Sequence, residues 1–150
     1  MQAWQWRAFA ALRPDELYSI LTLRALVFVA EQRCAYNDLD GYDRGAHHLF
    51  LPDRDRVVAY LRVLAPGARY AEPSIGRVVT HPDVRRTGLG FELMNEGIRR
   101  TEQAYPGCPI RIGAQRRLER FYESFGFAAV SGPYDEDGIE HVEMLRGGSW

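Results

Sequence analysis

The segment Val78-Val79-Thr80-His81-Pro82-Asp83-Val84-Arg85-Arg86-Thr87-Gly88-Leu89-Gly90-Phe91-Glu92-Leu93-Met94 passes from a β-branched run, through two arginines and two glycines, into a helical pattern. Its R-x-x-G-x-G core, from Arg85 to Gly90, therefore lies between a strand and a helix N-terminus. Such an end offers unpaired N–H groups and a partial positive charge of about half an electron. Glycines let the backbone approach an anion, and the arginines add fixed charge. The loop is a phosphate cradle, or its glycines only shape a turn. A nucleoside triphosphate loop needs Gly-Lys-Ser/Thr at the helix start, and this chain has no lysine. The dinucleotide fingerprint G-x-G-x-x-G also fails, because its first glycine is missing.

Working outward, Trp4–Phe9 alternates loosely as a first strand, and Pro14-Asp15 opens a helical pattern with Asp15 as N-cap. Leu17, Ile20, Leu21, Val27 and Phe28 carry that pattern, and Cys34–Gly45 reads as a loop. Strands His47–Leu51 and Val57–Leu64 follow, joined by a long loop, Pro52–Arg56. Along the second, Val57, Ala59, Leu61 and Val63 are expected on one face, and Val58, Tyr60, Arg62 and Leu64 on the other. Next come strand Ser74–Thr80 and a helix from Leu89 to Tyr105, with Leu93, Met94, Gly97, Ile98 and Thr101 on one side. Strand Ile110–Ala114, helix Arg117–Ser124 with Gly126 as C-cap, and strands Phe127–Val130 and His141–Leu145 complete the chain. Asp135–Gly138 reads as an acidic loop between the last two. The order predicts an α/β (α+β) fold, a mixed sheet with helices on its faces.

The 150 residues, without repeat or linker, predict one domain over 1–150. A chain of this size buries roughly 68–70% of its unfolded surface and needs no staple. Its net charge of −1 argues against nucleic acid or an anionic membrane as main partner. Cys34 and Cys108 have no CxxC or His/Cys partner spacing. With no signal peptide and no long apolar run, they predict a cytoplasmic protein. His47 and His48 point to opposite faces of a strand, and His81 has no ligand partner, so no metal is expected. Trp4, Trp6 and Trp150 are candidates for a homodimer contact.

The loop's V-x-x-x-P-x-x-R-x-x-G-x-G resembles the acetyl-coenzyme A loop of the GNAT (GCN5-related N-acetyltransferase) superfamily. A second match, Gln115 to Phe127, resembles its N-x-x-A-x-x-L-Y-x-x-x-G-F, with Gln115 for Asn and Leu118 for Ala. LxLRaxVFvxEQrCxYxdlDgyD, VAYLRVL, IGRVV and EDGIEHVEM extend the likeness to the ElaA-like branch. The resemblance implies a splayed, mostly antiparallel sheet and acetyl transfer from acetyl-CoA to a primary amine in a ternary complex. It places pantetheine along Val78, Val79 and Thr80 and beside Gln115. Pyrophosphate falls on Arg85, Arg86, Thr87, Gly88, Leu89 and Gly90. A backbone N–H near Val78 or Val79 is the implied oxyanion donor. The alternatives are a non-catalytic acyl-CoA-binding module acting through a protein partner, and transfer of a longer acyl group.

The chemistry also needs an acid for the thiolate and a base for the amine. Tyr122, with a reference pKa of ~10 against ~8.5 for a thiol, suits the acid. It also reads as core beside Phe121, Phe125 and Phe127. Glu31 and His141 are the candidate bases, a water chain being the alternative. Arg62 and Arg77, on adjacent strands, form either an acceptor-pocket wall paired with Glu31 or Asp40, or an ordinary charged sheet face. Asp135, Glu136 and Asp137 either attract an amine or form a solvated loop. The acceptor is a small molecule, polyamine, amino acid or peptide end.

Overall fold

The computed structural model describes residues 3–147. Eight strands make one sheet: β1 (Gln5–Ala8), β2 (His47–Asp53), β3 (Arg56–Leu64), β4 (Ser74–Thr80), β5 (Ile110–Gln115), β6 (Phe127–Ala129), β7 (Tyr134–Glu136) and β8 (Ile139–Arg146). Their order is β1-β2-β3-β4-β5-β8-β6, with β7 also on β8. Every pairing is antiparallel except β4 with β5. Helices α1 (Pro14–Arg24), α2 (Leu89–Ala104) and α3 (Glu119–Glu123) flank the sheet. The expected mixed sheet with covering helices is thus present. No helix among the described residues is long and apolar enough to cross a membrane.

Strand alternation divides the core. Leu49, Leu61 and Val63 pack with Leu93, Met94 and Ile98 of α2, while Phe50 and Tyr60 pack with Ile20 and Leu23 of α1. The residues expected on the inner side of α2 are its buried ones. Along β3, however, Val57 joins Tyr60 and Val58 joins Leu61. The pairing moves from Leu51↔Ala59 to Pro52↔Val57, so Val58 is an extra residue that inverts the phase. Trp4 and Trp6 lie partly buried against the first cluster, whereas Trp150 falls outside the described residues.

Three local expectations are corrected. Pro14 takes the first helical position, which makes Arg13 the N-cap. The Arg13 amide donates to Glu16 at 2.9 Å, and Asp15 lies inside the first turn. The β2–β3 link is a two-residue turn, Arg54-Asp55, because Pro52 stays in its strand where the ladder shifts register. The acidic run is no loop. Tyr134–Glu136 and Ile139 onward pair across Asp137 (φ +54°) and Gly138 (φ +80°), a Asp-Gly hairpin turn.

Candidate active site

β4 and β5 pair at one position, Ser74↔Arg111, and diverge beyond it. Within β4, Tyr60↔Val79 is followed by Arg62↔Gly76, so Leu61 alone faces Arg77 and Val78. Arg77 marks this bulge with φ +53°. The bulge removes Arg77 and Val78 from the ladder just where the sheet opens. A cavity of about 360 Å³ fills the opening, with Val78 on the β4 side and Gln115 and Tyr122 opposite. Val79 points the other way into the α1 cluster, and Thr80 is half-buried opposite Ala59.

The loop beyond β4 delivers the start of α2. Gly88, the N-cap, is left-handed with φ +86°, which a β-carbon would strain. Leu89, Gly90 and Phe91 present the free amides of the first turn, since the Gly88 carbonyl is taken only by Glu92 N–H. Gly90 is neither left-handed nor crowded: a β-carbon there would meet nothing nearer than the Phe121 ring at 3.9 Å. Arg86 is exposed with φ +64°, and the Thr87 hydroxyl donates to the Val84 carbonyl.

Glu31 ends a π-helical stretch, Ala25–Glu31, where the sequence pattern suggested a continued α-helix. The wider turn places Phe28, and Gln32 beyond it, on the cavity wall. Glu31 itself grips Arg85 through both carboxylate oxygens, at 2.9 and 2.6 Å. The Arg85 guanidinium holds its carboxyl below the usual range. Gln115 donates to Gln32 at 3.3 Å and accepts from Arg117 at 3.1 Å.

Tyr122 is 7% exposed, and burial pushes its hydroxyl up to about 12. Its ring packs edge-on against Phe121 and Phe127, so Tyr122 belongs to the aromatic core and also lines the cavity. The hydroxyl bonds to no described residue and is not sealed from solvent. His141, across the β5–β8 pair from Gln115, directs Nδ1 at the Ile139 carbonyl (2.8 Å) and Nε2 at Glu136 (3.5 Å).

Arg62 and Arg77 converge on Asp40, not on Glu31. Arg62 is bidentate to Asp40 (2.8 and 2.5 Å) and reaches Asp43 at 3.0 Å; Arg77 reaches Asp38 at 2.8 Å and Asp40 at 3.2 Å. Sequence reasoning missed Arg24, fully buried between Asp38 (2.9 Å) and Asp43 (2.7 Å). A charge on the Ile20, Leu23, Val27 stripe was the available signal, because a buried arginine demands a carboxylate. Burial alone would raise the Asp40 carboxyl, but hydrogen bonds from Arg62 and the Tyr42 amide hold it well below the carboxylate range. Asp43 is lowered likewise, against its burial, by Arg24 and Arg62. His48, also missed, bonds the Tyr60 hydroxyl and the Asp43 carbonyl, and burial pushes it down.

Residues 18–146 match the family model described as "Acetyltransferase (GNAT) domain". The UPF0039 protein sll0451 of Synechocystis sp. is 41% identical over 95% of this chain and 93% of its own. Escherichia coli ElaA is 38% identical over 97% of both chains, and its crystal structure superposes with a TM-score of 0.91. An acyl-CoA N-acyltransferase from Pseudomonas aeruginosa gives a TM-score of 0.93 at 38% identity, covering 97% of this chain and 99% of that one. The opened sheet, the glycine-started helix and these likenesses agree: the chain belongs to the GNAT acyltransferase family, in its ElaA-like branch.

Proposed function

We propose that the chain transfers an acetyl group from acetyl-CoA to a primary amine by direct attack in a ternary complex. The observation that carries this reading is that the β4 bulge and the Tyr122 hydroxyl, unpartnered among the described residues, line one cavity, while the loop that leaves β4 ends in the free amides of α2. The residues fit such a donor. A β-carbon at Gly90 would meet no described atom nearer than 3.9 Å, and the Leu89–Phe91 amides suit an anion. When bound, acetyl-CoA supplies a thioester whose carbonyl carbon bonds to the amine nitrogen as its bond to sulfur breaks.

The chain's own residues do the rest. Amides at the Arg77–Val78 bulge stabilise the charge that develops on the carbonyl oxygen. Tyr122 gives its proton toward the departing sulfur. The Ile139 carbonyl can only accept, so Nδ1 of His141 carries the ring hydrogen and Nε2 takes the amine proton. Glu136 then faces the imidazolium. Amine and thioester thus become amide and free thiol; the proton gained by His141 and the one lost by Tyr122 balance, and exchange through solvent restores both groups. Glu31, held by Arg85 at the outer loop, serves the donor side instead. The open cavity beyond Val78 favours catalysis over a non-catalytic binding module, which has no use for acceptor space. A cytoplasmic setting suits the free cysteines, Cys34 and Cys108.

The test is calorimetry with acetyl-CoA and ATP, followed by an amine screen read by thiol release. Acetyl-CoA should bind at micromolar strength and ATP should not displace it. Failure to bind any coenzyme A form rejects the proposal.

A further inference from the structure

Of the carboxylates lining the cavity, Asp40 and Glu136 are already paired and only the exposed Asp137 has no partner among the described residues, while two arginines keep donors to spare. Asp40 receives both terminal nitrogens of Arg62, one of Arg77 and the Tyr42 amide. Glu136 is taken by Arg69 at 3.1 Å and faced by His141. Of the five N–H groups on each guanidinium, Arg77 spends those of Nε and Nη2 on Asp38 and Asp40, leaving Nη1 without a partner among the described residues. Arg69 spends only Nη2, so its Nε and Nη1 are free among the described residues. Both guanidinium groups are held in place. Arg77 lies over the Tyr36 ring at 5.5 Å and Arg69 over Tyr70 at 5.3 Å.

The same stacking argues against a simple cationic acceptor. Arg62 lies against Tyr42 as Arg77 and Arg69 lie against Tyr36 and Tyr70, so these three rings already serve guanidinium groups. An ammonium chain would find its aromatic partners engaged and Asp40 and Glu136 already neutralised, with only the exposed Asp137 left to it. A ligand that supplies acceptor oxygens completes the wall instead, and planar guanidinium N–H pairs suit a carboxylate. Glu136 links this wall to the base, touching Arg69 with one oxygen and facing His141 with the other.

We infer that the acceptor is an amine that also bears a carboxylate, such as an amino acid or short peptide, with the carboxylate seated against Arg69 and Arg77 and the amine directed to His141. This rests on the transferase reading above. The test compares amino acids with the amines obtained by removing only their carboxyl group, together with diamines, all with acetyl-CoA and thiol release as readout. The carboxylated amines should be preferred by at least about tenfold in kcat/KM, a factor one charge-assisted contact supplies. In Arg69→Gln, a substitution at a partly exposed loop residue, that preference should shrink several-fold, chiefly through the KM of the amino acid. Equal or better turnover of the plain amines overturns the inference while leaving the transferase reading intact. So does a preference that Arg69→Gln does not alter. Absence of any acetyl-CoA binding rejects both.

Discussion

Gly88 and Gly90 are two residues apart, yet different forces hold them to glycine. The backbone at Gly88 requires positive φ, so Gly88→Ala should cost about 1–2 kcal/mol of stability. Gly90 is under no such demand. Gly90→Ala should leave the melting temperature unchanged or slightly higher, because alanine favours a helix, yet raise the KM for acetyl-CoA about tenfold by filling space reserved for the anion. Paired thermal melts and donor titrations separate the two effects. At Tyr122, removal of a hydroxyl that no described residue bonds should change stability by less than about 1 kcal/mol. Tyr122→Phe should lower kcat by about 10²–10⁴. Because burial pushes this group up to about 12, its proton stays in place at neutral pH, and its contribution to rate fades only as pH rises toward that value. A kcat within a few-fold of wild type removes the acid role.

Among the elements, the end of the π-helical stretch and the segment after it tie α1 to the donor loop and to both sides of the cavity. Glu31 meets Arg85, Gln32 meets Gln115, and the Cys34 thiol donates to the Asp137 carbonyl at 3.1 Å. Glu31 and Arg85 are each about 40% exposed at the side chain, so solvent weakens their pair. Glu31→Gln should therefore shift stability by no more than about 0.5 kcal/mol. It should also leave coenzyme A affinity equal or tighter, since Arg85 then faces a neutral amide instead of a competing carboxylate, and keep kcat within about threefold. A hundredfold loss of kcat would make Glu31 the base after all. Element identity was legible where one period ran unbroken, as in α2. It failed where one residue changed the geometry: the extra Val58 inverts a strand face, and an Asp-Gly pair turns an acidic run into a hairpin.

At the scale of the whole molecule, three arginines and three aspartates lock the Cys34–Gly45 loop against the sheet. The folded carboxyls of Asp40 and Asp43 titrate below their unfolded range. The native state then binds fewer protons than the unfolded chain, so this stability is full above about pH 5 and drains as pH falls through roughly 4 and below. Urea midpoints should fall along that acid limb. Arg62→Met, which leaves Asp40 without its bidentate partner, should cost about 3–5 kcal/mol at neutral pH and flatten the limb. A pH-independent midpoint from 6 down to 3 would contradict the account.

The glycine-started helix, the apolar face of α2 and the family likeness are local or periodic patterns, so the sequence alone determined them. Arg24, Arg62 and Arg77 meet Asp38, Asp40 and Asp43 from three separate segments, and no spacing along the chain encodes that meeting. Only tertiary structure decided which charges are neutralised and which guanidinium N–H groups are left over, because pairing depends on distance through space while sequence records distance along the chain.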